Sequence, residues 1–144
     1  MLSRTLLKNS FAKSTTRTKL FLTGGNNVRR LQSHYASVTK LKNTEEFTEI
    51  MNSNQLSVFD FYATWCGPCK AMIPHISQAV EENPDIKFYK IDVDESPEIA
   101  KLCEVVAMPT FVFTKDGQIL DKIIGANPHS LHTNIAVLKE KEMK

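Results

Sequence analysis

Val58-Phe59-Asp60-Phe61-Tyr62-Ala63-Thr64-Trp65-Cys66-Gly67-Pro68-Cys69-Lys70 is the stretch on which the reading of this chain turns. Apart from Asp60 and Ala63, its first six residues are aromatic or β-branched, the composition of a buried strand. Beyond the two cysteines, Ala71, Met72, Ile76, Ala79 and Val80 recur at close to helical spacing as far as Glu82. Pro68 suits the first turn of that helix, where no amide donor is required. The two thiols are thus expected where a strand ends and a helix begins. Unpaired backbone N–H groups and the positive end of the helix dipole favour a thiolate there, so Cys66 is expected to ionise more readily than a free thiol. Cys66 reads as an exposed nucleophile. Cys69, one turn further along the same face, reads as the resolving thiol that attacks a mixed disulfide on Cys66 and releases a reduced product.

Two other uses of the pair compete with disulfide exchange: a structural bridge, or half of a zinc site. The chain has three cysteines, Cys66, Cys69 and Cys103, and a closed zinc site takes four ligands, normally from two paired clusters. His75, the histidine nearest in sequence, lies nearly two helical turns beyond Cys69. No metal is expected.

The 144 residues amount to one domain, and a 42% hydrophobic composition is enough for one packed core. No stretch approaches the roughly 20 apolar residues of a membrane-spanning helix, so no membrane partner is expected. The net charge of +2 averages two unlike segments. The first acid is Glu45, whereas Arg4, Lys8, Lys13, Arg17, Lys19, Arg29 and Arg30 all precede residue 35 in a region rich in Ser, Thr and Asn. That is the composition of an organellar transit peptide, and Leu2/Leu6 and Leu7/Phe11 supply pairs for a short amphipathic helix. It lacks the uninterrupted apolar core of a secretory signal. Arg29-Arg30-Leu31 resembles a matrix-processing site, with cleavage expected between Leu31 and Tyr35. Residues 1–34 are therefore read as a mitochondrial transit peptide, disordered and removed, directing the chain to the matrix. Residues 35–144 are read as the folded domain, with 11 basic residues against 16 acidic ones, which excludes a nucleic-acid surface.

Within that domain the patterning predicts a strand over 35–41 and a short helix capped by Asn43. A strand follows over 55–63, then a helix over 66–82 kinked at Pro74, and a third strand over 86–93. Pro97 opens a helix reaching about Cys103. Residues 110–114 and 118–124 form an antiparallel hairpin turning at Lys115-Asp116-Gly117, and a last helix spans 128–141. The order βαβαβαββα places the chain in the α/β class, with a mixed central sheet and helices on both faces.

Trp-Cys-Gly-Pro-Cys-Lys, entered from Phe61-Tyr62-Ala63-Thr64, resembles the active site of thioredoxins, and the likeness runs from about Tyr35 to the C-terminus. Asp94-Glu95-Ser96-Pro97 and Ile124-Gly125-Ala126-Asn127-Pro128 make the chain most similar to fungal mitochondrial members. The resemblance implies a thioredoxin fold and reduction of protein disulfides through Cys66 and Cys69, which form a reversible disulfide. It implies a place in thiol redox homeostasis and oxidative-stress defence. No bound cofactor is implied, NADPH and FAD acting only through a partner thioredoxin reductase. Oxidised proteins such as peroxiredoxin are the implied clients of a monomer. For thioredoxins themselves a nucleophile pKa near ~7 and a potential of about −270 mV are characteristic, and both are carried over as properties of the family.

Particular residues follow from the same resemblance. Asp60 interrupts an apolar strand, where ionisation is costly and its pKa should rise; the family makes it the buried base that deprotonates Cys69. Lys90 matches a lysine that approaches this carboxylate. Met108-Pro109 matches a cis-proline loop facing the dithiol, which leaves the Met108 backbone free to pair with an extended substrate. Gly125 and Ala126 match a small-residue loop, and with Trp65, Gly67, Pro68 and Met108 they form an apolar contact patch. Tyr62 stands where many members carry tryptophan. Cys103 is an additional thiol, read as a buried and inert one. A binding module without redox turnover, and a net oxidase or isomerase, are the alternative functions on the same fold.

Overall fold

The computed structural model describes residues 24–144 in the order α1 (Gly24–Ser37), β1 (Thr39–Lys40), α2 (Thr44–Met51), β2 (Ser57–Tyr62), α3 (Gly67–Glu82), β3 (Lys87–Asp92), α4 (Pro97–Leu102), β4 (Thr110–Lys115), β5 (Gln118–Ile124) and α5 (Pro128–Glu142). The five strands form one sheet in the order β1-β3-β2-β4-β5. β1 and β2 run parallel to β3, while β4 is antiparallel to both β2 and β5. This is the mixed α/β sheet expected from the sequence, with one helix added ahead of it.

Alternation along β2 divides the core. Val58 faces Met72, Ile76 and Ala79 of α3 and Leu131, Ile135 and Leu138 of α5, together with Phe111 and Phe113. Phe59 and Phe61 face the other way, onto Phe47 of α2, Ile99 and Ala100 of α4, and Val112. The period of two in a fully buried strand thus supplies both cores at once, each aromatic ring contributing about 1.5–3 kcal/mol of burial. Phe47 packs edge-on to Phe59 at a centroid separation of 4.9 Å. Asp60 shares the Val58 side of the strand. So does Lys90 in β3, because the parallel register sets Asp60 beside Lys90.

Local chemistry fixes the ends of the elements. The Asn43 side chain accepts the Glu45 N–H at 2.7 Å, and Asn127 accepts that of Ser130 at 3.0 Å, capping α2 and α5. Asp116 (φ 50°) and Gly117 (φ 74°) turn the β4–β5 hairpin, and a Cβ on Gly117 would stand 2.9 Å from Asn52 Oδ1. α3 continues through Pro74 to Glu82.

The segment 35–41, expected as one strand, is divided: residues 35–37 close α1 and the strand is cut to two residues. α1 runs on to Ser37, and only Thr39–Lys40 pair with β3. Tertiary demand overrides local pattern here: α1 lies along α3, Arg30 forms an ion pair with Glu81, and Tyr35 is drawn in toward Asp60 and Lys90. The expected cleavage window, Leu31 to Tyr35, falls inside α1. The leader pairs Leu2/Leu6 and Leu7/Phe11 lie outside the described residues. Among the described residues, no helix is long and apolar enough to cross a membrane.

Candidate active site

Cys66 occupies the N-cap of α3, in extended backbone at φ −81° and ψ 108°, so β2 delivers it to the start of the helix as the sequence predicts. Its Sγ accepts the Cys69 N–H at 3.2 Å. The two sulfurs are bonded, with Cα atoms 5.4 Å apart, which makes the pair a disulfide in this structure. One expectation needs correction. Cys66 is not exposed: the residue is 4% accessible and Cys69 6%, packed with Ala63 against Tyr62, Val93 and Met108. The short loop brings both sulfurs inward, while Trp65 beside them is 67% exposed.

The Met108–Pro109 peptide is cis, and Met108 packs on the two cysteines. The Pro109 carbonyl accepts the Gly125 N–H at 2.8 Å, joining the loop before β4 to the loop after β5. Gly125 has φ 96°, a conformation that side chains with a Cβ resist. Gly67 and Pro68, between the cysteines, are exposed, as are Ala126, which follows Gly125, and Val106, two residues before Met108. The structure therefore packs Met108 on the dithiol and ties Pro109, the next residue, to Gly125. Trp65 is steered by a contact that the sequence did not reveal: its indole N–H donates to Asp94 Oδ2 at 2.9 Å.

Asp60, in the middle of β2, is 4% accessible, and burial pushes its carboxyl pKa up to about 7 against the opposing Tyr35 hydrogen bond and Lys90 charge. The Tyr35 hydroxyl donates to Oδ2 at 2.9 Å, while Oδ1 has no hydrogen-bond partner among the described residues. Lys90 stands beside Asp60 in the β2–β3 register. Its Nζ donates to the Tyr35 carbonyl at 3.0 Å and lies 4.6 Å from the Tyr35 ring centroid, so it reaches Asp60 through the field and not by an ion pair. Burial lowers its pKa, with Asp60 pulling the other way. Tyr35, Tyr62, Ala63, Thr64, Cys69, Lys70 and Ile73 line a cavity of about 230 Å³, which puts Tyr35 and Cys69 on one space. The sequence reading missed Tyr35 because it placed this residue in a strand, and no local pattern announces a partner that comes from a helix laid over the sheet.

Cys103 lies apart from the pair, buried at 1%, with its pKa raised by burial to about 11. Among the described residues, no group of three or more His, Cys, Asp or Glu side chains is placed to hold a metal ion.

Comparison with known proteins gives the geometry a family. Residues 37–137 match the Thioredoxin family model. Thioredoxin-3, mitochondrial, of Saccharomyces cerevisiae is 58% identical over 106 residues, which is 74% of this chain and 84% of that protein. Thioredoxin-1 of the same yeast is 46% identical over 69% of this chain and 96% of its own length. The crystal structure of oxidised mitochondrial thioredoxin 3 from S. cerevisiae superposes with a TM-score of 0.69 at 57% identity, covering 72% of this chain and 97% of that one. A chain from a structure concerned with thiol resolution in yeast mitochondrial 1-Cys peroxiredoxin, via glutathione and thioredoxin systems, gives 0.70 at 56% identity, with 72% and 97% covered. With the family model spanning most of its length and a relative 58% identical covered over 84% of its own, the chain belongs to the thioredoxin family of protein-disulfide oxidoreductases.

Proposed function

We propose that this thioredoxin is a mitochondrial protein-disulfide reductase in which Cys66 is the nucleophile, Cys69 the resolving thiol and Asp60 the base. The observation that carries the reading is the placement of Cys66 Sγ on the N-cap of α3, within reach of both the Cys69 N–H and the Cys69 sulfur. In the reduced protein that N–H and the helix dipole favour a Cys66 thiolate. The thiolate attacks one sulfur of a substrate disulfide, a Cys66–substrate bond forms, and the other substrate sulfur leaves as a thiolate. Asp60 then takes the Cys69 proton. The Cys69 thiolate attacks Cys66 Sγ, the Cys66–Cys69 bond forms, and the second substrate sulfur leaves. The substrate gains two electrons and the dithiol loses two, so the chain carries its electrons on sulfur and needs no cofactor of its own.

Substrate is held by the patch around Trp65, Gly67, Pro68, Met108, Gly125 and Ala126. Met108 has no backbone hydrogen bond among the described residues, which leaves it open to pair with an extended segment. Thioredoxin reductase, itself using NADPH and FAD, returns the disulfide to the dithiol, and the chain works as a monomer. Peroxiredoxin is the favoured client, on the strength of the yeast structure concerned with peroxiredoxin resolution, and the cellular role is thiol homeostasis and defence against oxidative stress. The acid-free leader, residues 1–34, directs import to the mitochondrial matrix, and similarity to a mitochondrial relative supports that reading.

Trapping tests the whole proposal. A Cys69→Ser variant should accumulate mixed disulfides on Cys66 with its clients, while Cys66→Ser should lose reduction of a test protein disulfide. An empty trap, or a Cys66→Ser protein that keeps its activity, would reject the reductase mechanism. A fusion of residues 1–40 to a fluorescent reporter should label mitochondria, and a diffuse signal would reject the leader assignment.

A further inference from the structure

We propose that Tyr35 is a positioning residue for the resolving step: its hydroxyl occupies Oδ2 of Asp60, which leaves Oδ1 as the oxygen that takes the Cys69 proton. This rests on the role proposed above for Asp60.

Three observations converge on Tyr35. Its hydroxyl donates to Oδ2 at 2.9 Å, its carbonyl accepts from Lys90 Nζ at 3.0 Å, and its ring lies 4.6 Å from that ammonium. Tyr35 thus stands in the place a direct Lys90–Asp60 pair would take. The second carboxylate oxygen, Oδ1, is buried and unpartnered, a costly condition that a proton or a donor relieves. Tyr35 and Cys69 also line one cavity of about 230 Å³, which has room for water at about 30 Å³ of liquid volume each. Water there would touch both Cys69 and Tyr35, the residue whose hydroxyl bonds the carboxylate.

The groups facing Asp60 are few. α1 contributes Tyr35 and β3 contributes Lys90; on β4 the register partner is Phe111, which does not titrate. Lys40 of β1, beside Lys90 in register, acts on that lysine, and Lys40 itself is paired to Glu95 at 2.8 Å. Tyr35 is the residue that bonds the carboxylate. A donor to the ionised form holds the pKa of Asp60 down against its burial, so removing the hydroxyl should raise it.

In the resolving step, Cys69 Sγ–H gives its proton to Oδ1, the Cys69–Cys66 bond forms, and the Cys66–substrate bond breaks with the electron pair leaving on the substrate sulfur. Tyr35→Phe deletes only the hydroxyl, since the ring and the carbonyl that hold Lys90 remain. In the full chain we expect the Asp60 carboxyl, followed by carbon NMR in the reduced protein, to titrate about one pH unit higher. Stopped-flow reaction of the reduced protein with an aromatic disulfide releases a second thiolate as Cys69 resolves the mixed species. The acid limb of that phase should move by the same unit, slowing it about fivefold at pH 7 and little at pH 9. An unmoved carboxyl and an unmoved limb in Tyr35→Phe, with Asp60→Asn losing the limb, would overturn the role of Tyr35 alone. If Asp60→Asn keeps the wild-type limb, the base assignment falls and Tyr35 falls with it.

Discussion

The Trp65 indole N–H donates to Asp94 Oδ2 at 2.9 Å, so the large exposed ring next to the dithiol has its orientation set from the loop after β3. Trp65 is the sole tryptophan of the chain, and its emission therefore reports on this contact without interference. Asp94→Leu should alter that emission and raise the KM for a protein disulfide several-fold. The unfolding free energy should change by no more than about 1 kcal/mol, as befits an exposed pair. Unchanged emission would show that the bond does not hold the ring in solution.

Gly125 tests the rim of the site. A Cβ there meets nothing within 4 Å, so Gly125→Ala adds no clash and acts through its backbone alone, at φ 96°. We expect a loss of about 1–2 kcal/mol in urea unfolding, with the cost arising from the forbidden conformation. A neutral substitution would mean that the loop relaxes away from this geometry and gives up the bond to Pro109.

The raised pKa of Asp60 makes stability depend on pH. Between the ordinary carboxyl value of 3.8 and about 7, the folded protein holds a proton that the unfolded chain has released. Stability contributed by this residue therefore falls as pH rises through that window, and the penalty is full above it. Asp60→Asn should stabilise the oxidised protein by on the order of 2–4 kcal/mol at pH 8, and by little at pH 4. Urea unfolding across that range reads the difference; a gain independent of pH would contradict a buried, titrating carboxyl.

Cys103 should be silent in the native protein. Burial at 1% and a pKa pushed to about 11 leave almost no thiolate at pH 8. Alkylation of the reduced, folded protein followed by mass spectrometry should spare this residue, and denaturant should expose it. Labelling at a rate matching Cys66 would give it a redox role.

What the sequence made legible was local. The strand into Trp65-Cys66, the Pro68 turn of α3, the Asn43 cap and the Asp116-Gly117 hairpin each depend on residues close together in the chain, and each was readable. The cis bond before Pro109 and the small residue at Gly125 were visible only through family likeness, since neither spacing nor composition specifies them. The contacts made across the fold were hidden. Tyr35 reaches Asp60 from 25 positions away and Lys90 from 55, at the end of a helix whose residues 24–34 read as leader and whose last three read as the start of a strand. Exposure was misjudged for a related reason: Cys66 starts a helix, but whether its sulfur meets water depends on Met108 and Val93, supplied by distant loops.

The middle position of β2, with β3 on one flank and β4 on the other, has an implication for how such a protein diversifies. The strand that presents the sulfur chemistry is clamped in two ladders and cannot drift to suit a new client. Adaptation is left to the shoreline: residues such as Trp65, Val106 and Ala126 can be exchanged while the reacting centre stays where it is.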